Sequence, residues 1–214
     1  MAQATLNRHK NKLSLFVSII LIPLFLNACS SLIAPNVKTE IIQLKKGQYR
    51  IDPAHSALLF KVDHLGLSTY VGRFNQIEAT LNFDPDNLAA TELNALIYTD
   101  SIDVNNTDLE KTLKKSNWFN TKKYPQATFK TVSVKVLSDN TFEFTGALTL
   151  LGVTKPVVLN GKFNGGATNM LSGRYTLGFS ATAEVTRSEF GMDIYVGLVG
   201  DKIMLEIYSE FLRE

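Results

Sequence analysis

From Gln48 to Phe211, apolar and polar residues alternate almost one by one, the two-residue period of strands with one buried face. Ile77, Ala79, Leu81 and Phe83 alternate with Gln76, Glu78, Thr80 and Asn82. Tyr175, Leu177, Phe179, Ala181 and Ala183 alternate with Arg174, Thr176, Gly178, Ser180 and Thr182. Leu58, Phe60 and Val62 show the same pattern near the start, and Ile203, Leu205 and Ile207 near the end. Further strands are predicted at 93–100, 128–137, 141–151 and 156–163. Turn signals at Asp84-Pro85-Asp86-Asn87, Ser138-Asp139-Asn140 and Gly165-Gly166 separate them. One stretch departs from alternation. Thr107-Asp108-Leu109-Glu110 has the capping-box form, and Leu109 and Leu113 share a helix face. A short helix is predicted over 107–116, running straight into Trp118 and Phe119.

About eight antiparallel strands with one or two short helices make an all-β chain, either a sandwich or a closed barrel. An eight-stranded barrel is filled by its own side chains or holds one small ligand. Small residues stand beside phenylalanines on the apolar face: Ala79, Ala95, Gly146, Ala181 and Ala183. They leave room for a cavity, although a tightly curved wall selects them too. With the apolar face inward, the expected lining is Phe60, Val62, Leu81, Phe83, Phe142, Phe144, Leu148, Tyr175, Leu177 and Phe179. Trp118, Phe119 and Phe129 are expected to close one end.

The first 28 residues read as targeting rather than fold. Arg8, His9, Lys10 and Lys12 precede an apolar run from Leu13 to Leu26. That run is too short for a bilayer span of about 20 residues and fits a signal-peptide core. Leu26-Asn27-Ala28-Cys29 follows, and Cys29 is the only cysteine of the chain. It resembles a lipobox, in which the cysteine is acylated and becomes a membrane anchor. The expected organisation is therefore a signal peptide at 1–28, a lipidated tether at 29–46 and a barrel domain at 47–214. Ser30 after the cysteine points to the outer membrane of a Gram-negative host, with the domain facing the periplasm.

Charge narrows the partners. Of 22 basic residues three lie in the leader, so the remainder carries one base fewer than the 20 acids. That balance argues against nucleic acid, which rewards a dense basic stripe. Lys111, Lys114, Lys115, Lys122, Lys123 and Lys130 form a local cluster, either a solvated surface or a site for an anionic partner. His55 and His64 lack a companion set with metal-ligand spacing, so no metal is expected. No Gly-x-Ser-x-Gly elbow and no phosphate loop is present, so no catalytic residue is assigned. Arg187 either pairs with an acid or orients a polar ligand head, and His64 is the other candidate for a head group.

Several of these segments, taken in order, resemble the YceI-like family. They are Tyr49-Arg50-Ile51-Asp52-Pro53-Ala54-His55-Ser56, Val62-Asp63-His64-Leu65-Gly66, Gly72-Arg73-Phe74, and Leu81-Asn82-Phe83-Asp84-Pro85. Further along come Ser116-Asn117-Trp118-Phe119 with Lys123-Tyr124-Pro125, Gly146 through Val157, and Arg187-Ser188-Glu189-Phe190-Gly191. The resemblance implies a lipocalin-like eight-stranded antiparallel barrel with a helix packed beside it. It also implies that a long isoprenoid lipid, such as a quinone or polyprenyl phosphate, is threaded through the barrel without a further cofactor. Trp118 stands where the family commonly has Phe, and Thr112 where it often has His. The expected function is a non-enzymatic, membrane-anchored lipid carrier of the cell envelope, for which a homodimer is compatible. The alternative is a structural or interaction barrel without lipid.

Overall fold

A computed structural model of the chain describes residues 35–214, so the predicted leader and Cys29 lie outside the described residues. The strands are β1 (Gly47–Ile51), β2 (Ala57–His64), β3 (Ser68–Phe74), β4 (Ile77–Phe83), β5 (Glu92–Tyr98) and β6 (Ile102–Asp103). After the helix α1 (Thr107–Leu113) come β7 (Gln126–Ser138), β8 (Thr141–Leu150), β9 (Val153–Thr168), β10 (Tyr175–Thr186) and β11 (Val199–Arg213). Every pairing between these strands is antiparallel, and β11 pairs with β1, β2 and β10. Three long strands are each bent once, giving the successive pieces β1–β2, β3–β4 and β5–β6. Counted whole, they complete a closed eight-stranded barrel with one helix.

The first bend shows how local chemistry shapes the wall. Pro53 opens a single 3-10 turn, and the Asp52 carboxylate accepts from the Ala54 N–H at 3.0 Å. Ser56 Oγ then accepts from the Glu210 N–H at 3.1 Å, so β11 runs past the interruption with its backbone satisfied. The second bend, at Asn75-Gln76, is tied to the third by donation from both backbone N–H groups to Ser101.

The helix begins at Thr107 as predicted, but its cap is the residue before the predicted capping box. Asn106 is the N-cap and accepts from the Leu109 N–H at 3.1 Å, while Glu110 accepts from the Val104 N–H. It ends early, at Leu113. The chain turns there because the Phe119 N–H closes onto the Leu113 carbonyl at 2.9 Å. Leu109, Leu113 and Phe119 pack on the inward-facing Leu58, Phe60 and Phe74. The helix therefore lies across one barrel mouth rather than only beside it.

Gly165-Gly166 is not a turn. Both glycines lie inside β9, where Gly165 pairs with Gly178 and Gly166 with Leu177 beside a bulge. The turn itself falls at Asn169–Gly173, where the Asn169 side chain accepts from the N–H groups of Leu171 and Ser172. The glycines mark close approach instead. A Cβ on Gly166 would stand 2.8 to 2.9 Å from Leu44, Leu177 and the Tyr175 hydroxyl.

The crowding at Gly166 reflects a second departure from expectation. The segment expected to be a tether up to residue 46 is docked from Val37 onward. Lys38 exchanges two backbone hydrogen bonds with Gly166, and Ile41 and Leu44 are buried against the barrel. With Tyr49 and Leu177, both fully buried, they close the end opposite the helix. Leu44→Ala is expected to cost about 2 kcal/mol, at the lower limit for a buried leucine because the strap can settle. A thermal melt beside wild type measures it.

Candidate functional site

Between the strap and the helix the barrel holds an apolar cavity of about 130 Å³. Its wall includes Leu81, Ala79, Ala95, Phe129, Phe144, Leu148, Leu159, Phe179, Ala181, Leu205 and Ile207, and no charged side chain lines it. Three phenylalanines keep the axis clear by lying against glycines of neighbouring strands. A Cβ on Gly72 would stand 2.3 Å from Phe60, and one on Gly146 would stand 2.2 Å from Phe129. The contact from Gly161 to Phe144 is looser, at 3.4 Å. Each glycine gives a ring a flat bed on the wall.

The structure distributes the expected lining residues over three places. Leu81, Phe129, Phe144, Leu148 and Phe179 border the cavity. Phe83, Phe142, Tyr175 and Leu177 belong to the same core and do not border the cavity. Phe60 and Phe119 belong to the second core under the helix, where Phe119 meets the Phe74 ring edge-on at 5.5 Å. Val62 is buried in neither group. Phe129, expected as part of an end closure, lies instead in the cavity wall. Val157, Leu159, Leu205, Ile207 and Phe211 were not among the expected lining, although the same two-residue period marks them.

Arg187 does not pair with an acid and does not border the cavity. Its side chain is only 3% exposed and forms no ion pair among the described residues. It donates to four backbone carbonyls instead: Gly200 from Nε at 2.9 Å, Met192 and Ile194 from Nη1 at 2.7 and 2.9 Å, and Val199 from Nη2 at 2.9 Å. Burial lowers its pKa, countered by the nearby Asp201 and Asp193 carboxylates. The guanidinium is thus the clasp of the 191–200 loop, and its planar fork suits that use better than a lysine. Trp118 stacks beneath it at 5.7 Å and beside Tyr195 at 6.4 Å, so it closes onto this loop rather than into the cavity. His64 is exposed at the end of β2 and does not line the cavity.

His55, Asp52 and Glu210 offer ligand atoms all within 4.8 Å of one another on the outer wall. His55 Nδ1 already meets Asp52 Oδ2 at 3.0 Å, which raises the histidine pKa and lowers that of the aspartate. The raised histidine stabilises the fold at low pH and loses that effect as pH rises through its folded value. The lowered aspartate acts in the opposite sense, losing its effect as pH falls. The pair is therefore strongest between the ordinary values of 3.8 and 6.5. His55→Asn is expected to lower the melting temperature most within that window and to match wild type in alkaline buffer. A melting series over pH checks it.

Residues 49–211 match the family described as YceI-like domain. Protein YceI of Escherichia coli O6:H1 is 37% identical over 168 residues, covering 78% of this chain and 87% of that protein. The structure of BcnA from Burkholderia cenocepacia superposes with a TM-score of 0.69 at 22% identity, covering 75% of this chain and 98% of that one. A polyisoprenoid binding domain from Saccharophagus degradans, implicated in plant cell wall breakdown, superposes with a TM-score of 0.57 at 14% identity. It covers 79% of this chain and all of that one. At those two identities the likeness is one of fold.

Proposed function

The chain belongs to the YceI-like family, and on that premise we propose that its barrel binds and carries a long isoprenoid-like lipid in the cell envelope. The observation that carries this reading is the apolar cavity, bordered by Ala79, Ala95 and Ala181 and free of charged lining. The polyisoprenoid-binding domain that shares the fold supports it by analogy. An apolar protein cavity of about 150 Å³ stays dry and accepts benzene, so this one accommodates one isoprene-sized segment as it stands. A longer chain needs the side chains packed under the helix, Phe60, Phe74 and Phe119, to give way. Each methylene buried contributes about 0.8 kcal/mol, offset in part by the ordering of chain and side chains. Quinone and polyprenyl phosphate both carry such an apolar chain, and binding rather than turnover is the role proposed for the barrel.

Native mass spectrometry with lipid extraction, on protein purified without solvent exchange, is expected to find a co-purified isoprenoid. A ligand-free protein with unchanged melting temperature after a solvent wash would instead make the barrel a structural module filled by its own rings. Anchoring through acylated Cys29 is part of the same proposal. Labelled palmitate should enter the wild-type chain in a bacterial host and fail to enter Cys29→Ala.

A further inference from the structure

We propose that the helix end of the barrel is a docking face for an anionic phospholipid bilayer. Two loops project there side by side: the Leu65-Gly66-Leu67 tip between β2 and β3, and the Tyr195–Leu198 turn before β11. The Leu65 N–H donates to the Leu198 carbonyl at 2.9 Å, joining them. Leu65, Leu67, Tyr195, Val196 and Leu198 are all exposed, Leu67 to 83%. The platform beneath them is firm, since Arg187 clasps four carbonyls that flank the second loop and Trp118 packs against Tyr195. Large apolar side chains clustered on loop tips mark an interaction site rather than ordinary surface.

The charges beside the tips say which partner. Beyond Trp118 stand Lys114, Lys115, Lys122 and Lys123, none in an ion pair among the described residues. Protein–protein interfaces are depleted in lysine, whereas apolar groups flanked by lysine suit hydrocarbon beneath anionic headgroups. The acids at this end are partly engaged. Asp63 accepts from the Gly66 N–H and Asp201 from Ser188, leaving Glu189 and Asp193. The opposite end exposes Met170 and Leu171 on one hairpin, Val136 and Leu137 near another and Val37 on the strap, without a comparable joined pair of loop tips. Docking brings the mouth under α1 to the membrane, and it stands whether or not the barrel holds a lipid.

Trp118 is the only tryptophan, so its fluorescence reports this end alone, even where the N-terminal apolar run brings the chain to a vesicle. The full chain is mixed with vesicles of phosphatidylcholine, or of equal parts phosphatidylcholine and phosphatidylglycerol, without isoprenoid. With phosphatidylglycerol, Trp118 emission should shift to the blue and be quenched by brominated acyl chains. Added salt should weaken both effects. Lys114→Glu, Lys115→Glu, Lys122→Glu and Lys123→Glu combined should reduce docking roughly tenfold or more. Leu65→Ser with Leu67→Ser and Leu198→Ser should also reduce it, and circular dichroism confirms that these surface variants fold. Met170→Ser with Leu171→Ser should dock as wild type. No Trp118 response, equal response to neutral vesicles, loss confined to the Met170/Leu171 variant, or burial of the tips in a dimer by sedimentation would each overturn the proposal.

Discussion

Arg187→Ala should lower the unfolding free energy by roughly 3–5 kcal/mol, among the largest effects of any single side chain here. The substitution removes all four of the donors that hold the 191–200 loop. A buried acceptor left without a partner costs about 1–3 kcal/mol. Three of the four bonds are only partly buried, so water recovers some of that, and the total stays below the simple sum. The loss also frees Trp118 from its cation–π contact. Arg187→Lys should recover less than half, because one ammonium cannot serve four carbonyls arranged for a planar fork. Urea denaturation gives the number. A loss under about 1 kcal/mol would mean that the loop holds itself.

Phe129→Ala should cost a similar amount, roughly 3–5 kcal/mol, by enlarging a cavity that is already present. The informative experiment pairs it with Gly146→Ala. A methyl group on Gly146 stands 2.2 Å from the Phe129 ring, so the ring must leave the wall and enter the cavity. That should cost about 1–3 kcal/mol on its own and reduce lipid retention. In the Phe129→Ala background the clash is gone, and Gly146→Ala should be nearly neutral. The cycle is therefore expected to be strongly non-additive. Additive costs would show that the ring does not use the glycine as its bed.

The wall of the barrel could be read from residues such as Ile77, Ala79, Leu81 and Phe83 because burial of one face imposes a period of two. The helix could be read because Leu109 and Leu113 satisfy a different period. Gly165-Gly166 was misread for a physical reason: glycine serves turns and close approaches equally, and only the buried neighbours Leu44 and Tyr175 distinguish them. The docked strap was legible in part, since Ile41 and Leu44 stand one turn apart. What they pack against lies far along the chain. Arg187 could not have been assigned, because its partners are carbonyl oxygens that every residue carries and no letter marks. The cavity wall was found only by half. Its strands were recognised, but which inward residues meet the open space depends on where the rings of Phe60, Phe129 and Phe144 come to rest.

The strap at residues 37–44 makes the barrel a blind tube. Ile41, Leu44, Tyr49 and Leu177 plug that end, so under the proposed function a long amphiphile would enter tail first from the helix end and could not pass through. Its polar head would then remain at the helix end. Such a tube works as a ruler. It accepts every chain up to its own depth and leaves the surplus of a longer one protruding, so affinity should climb with isoprene number and then level off. Removing the floor would open the scale, and the plateau would move to longer lipids.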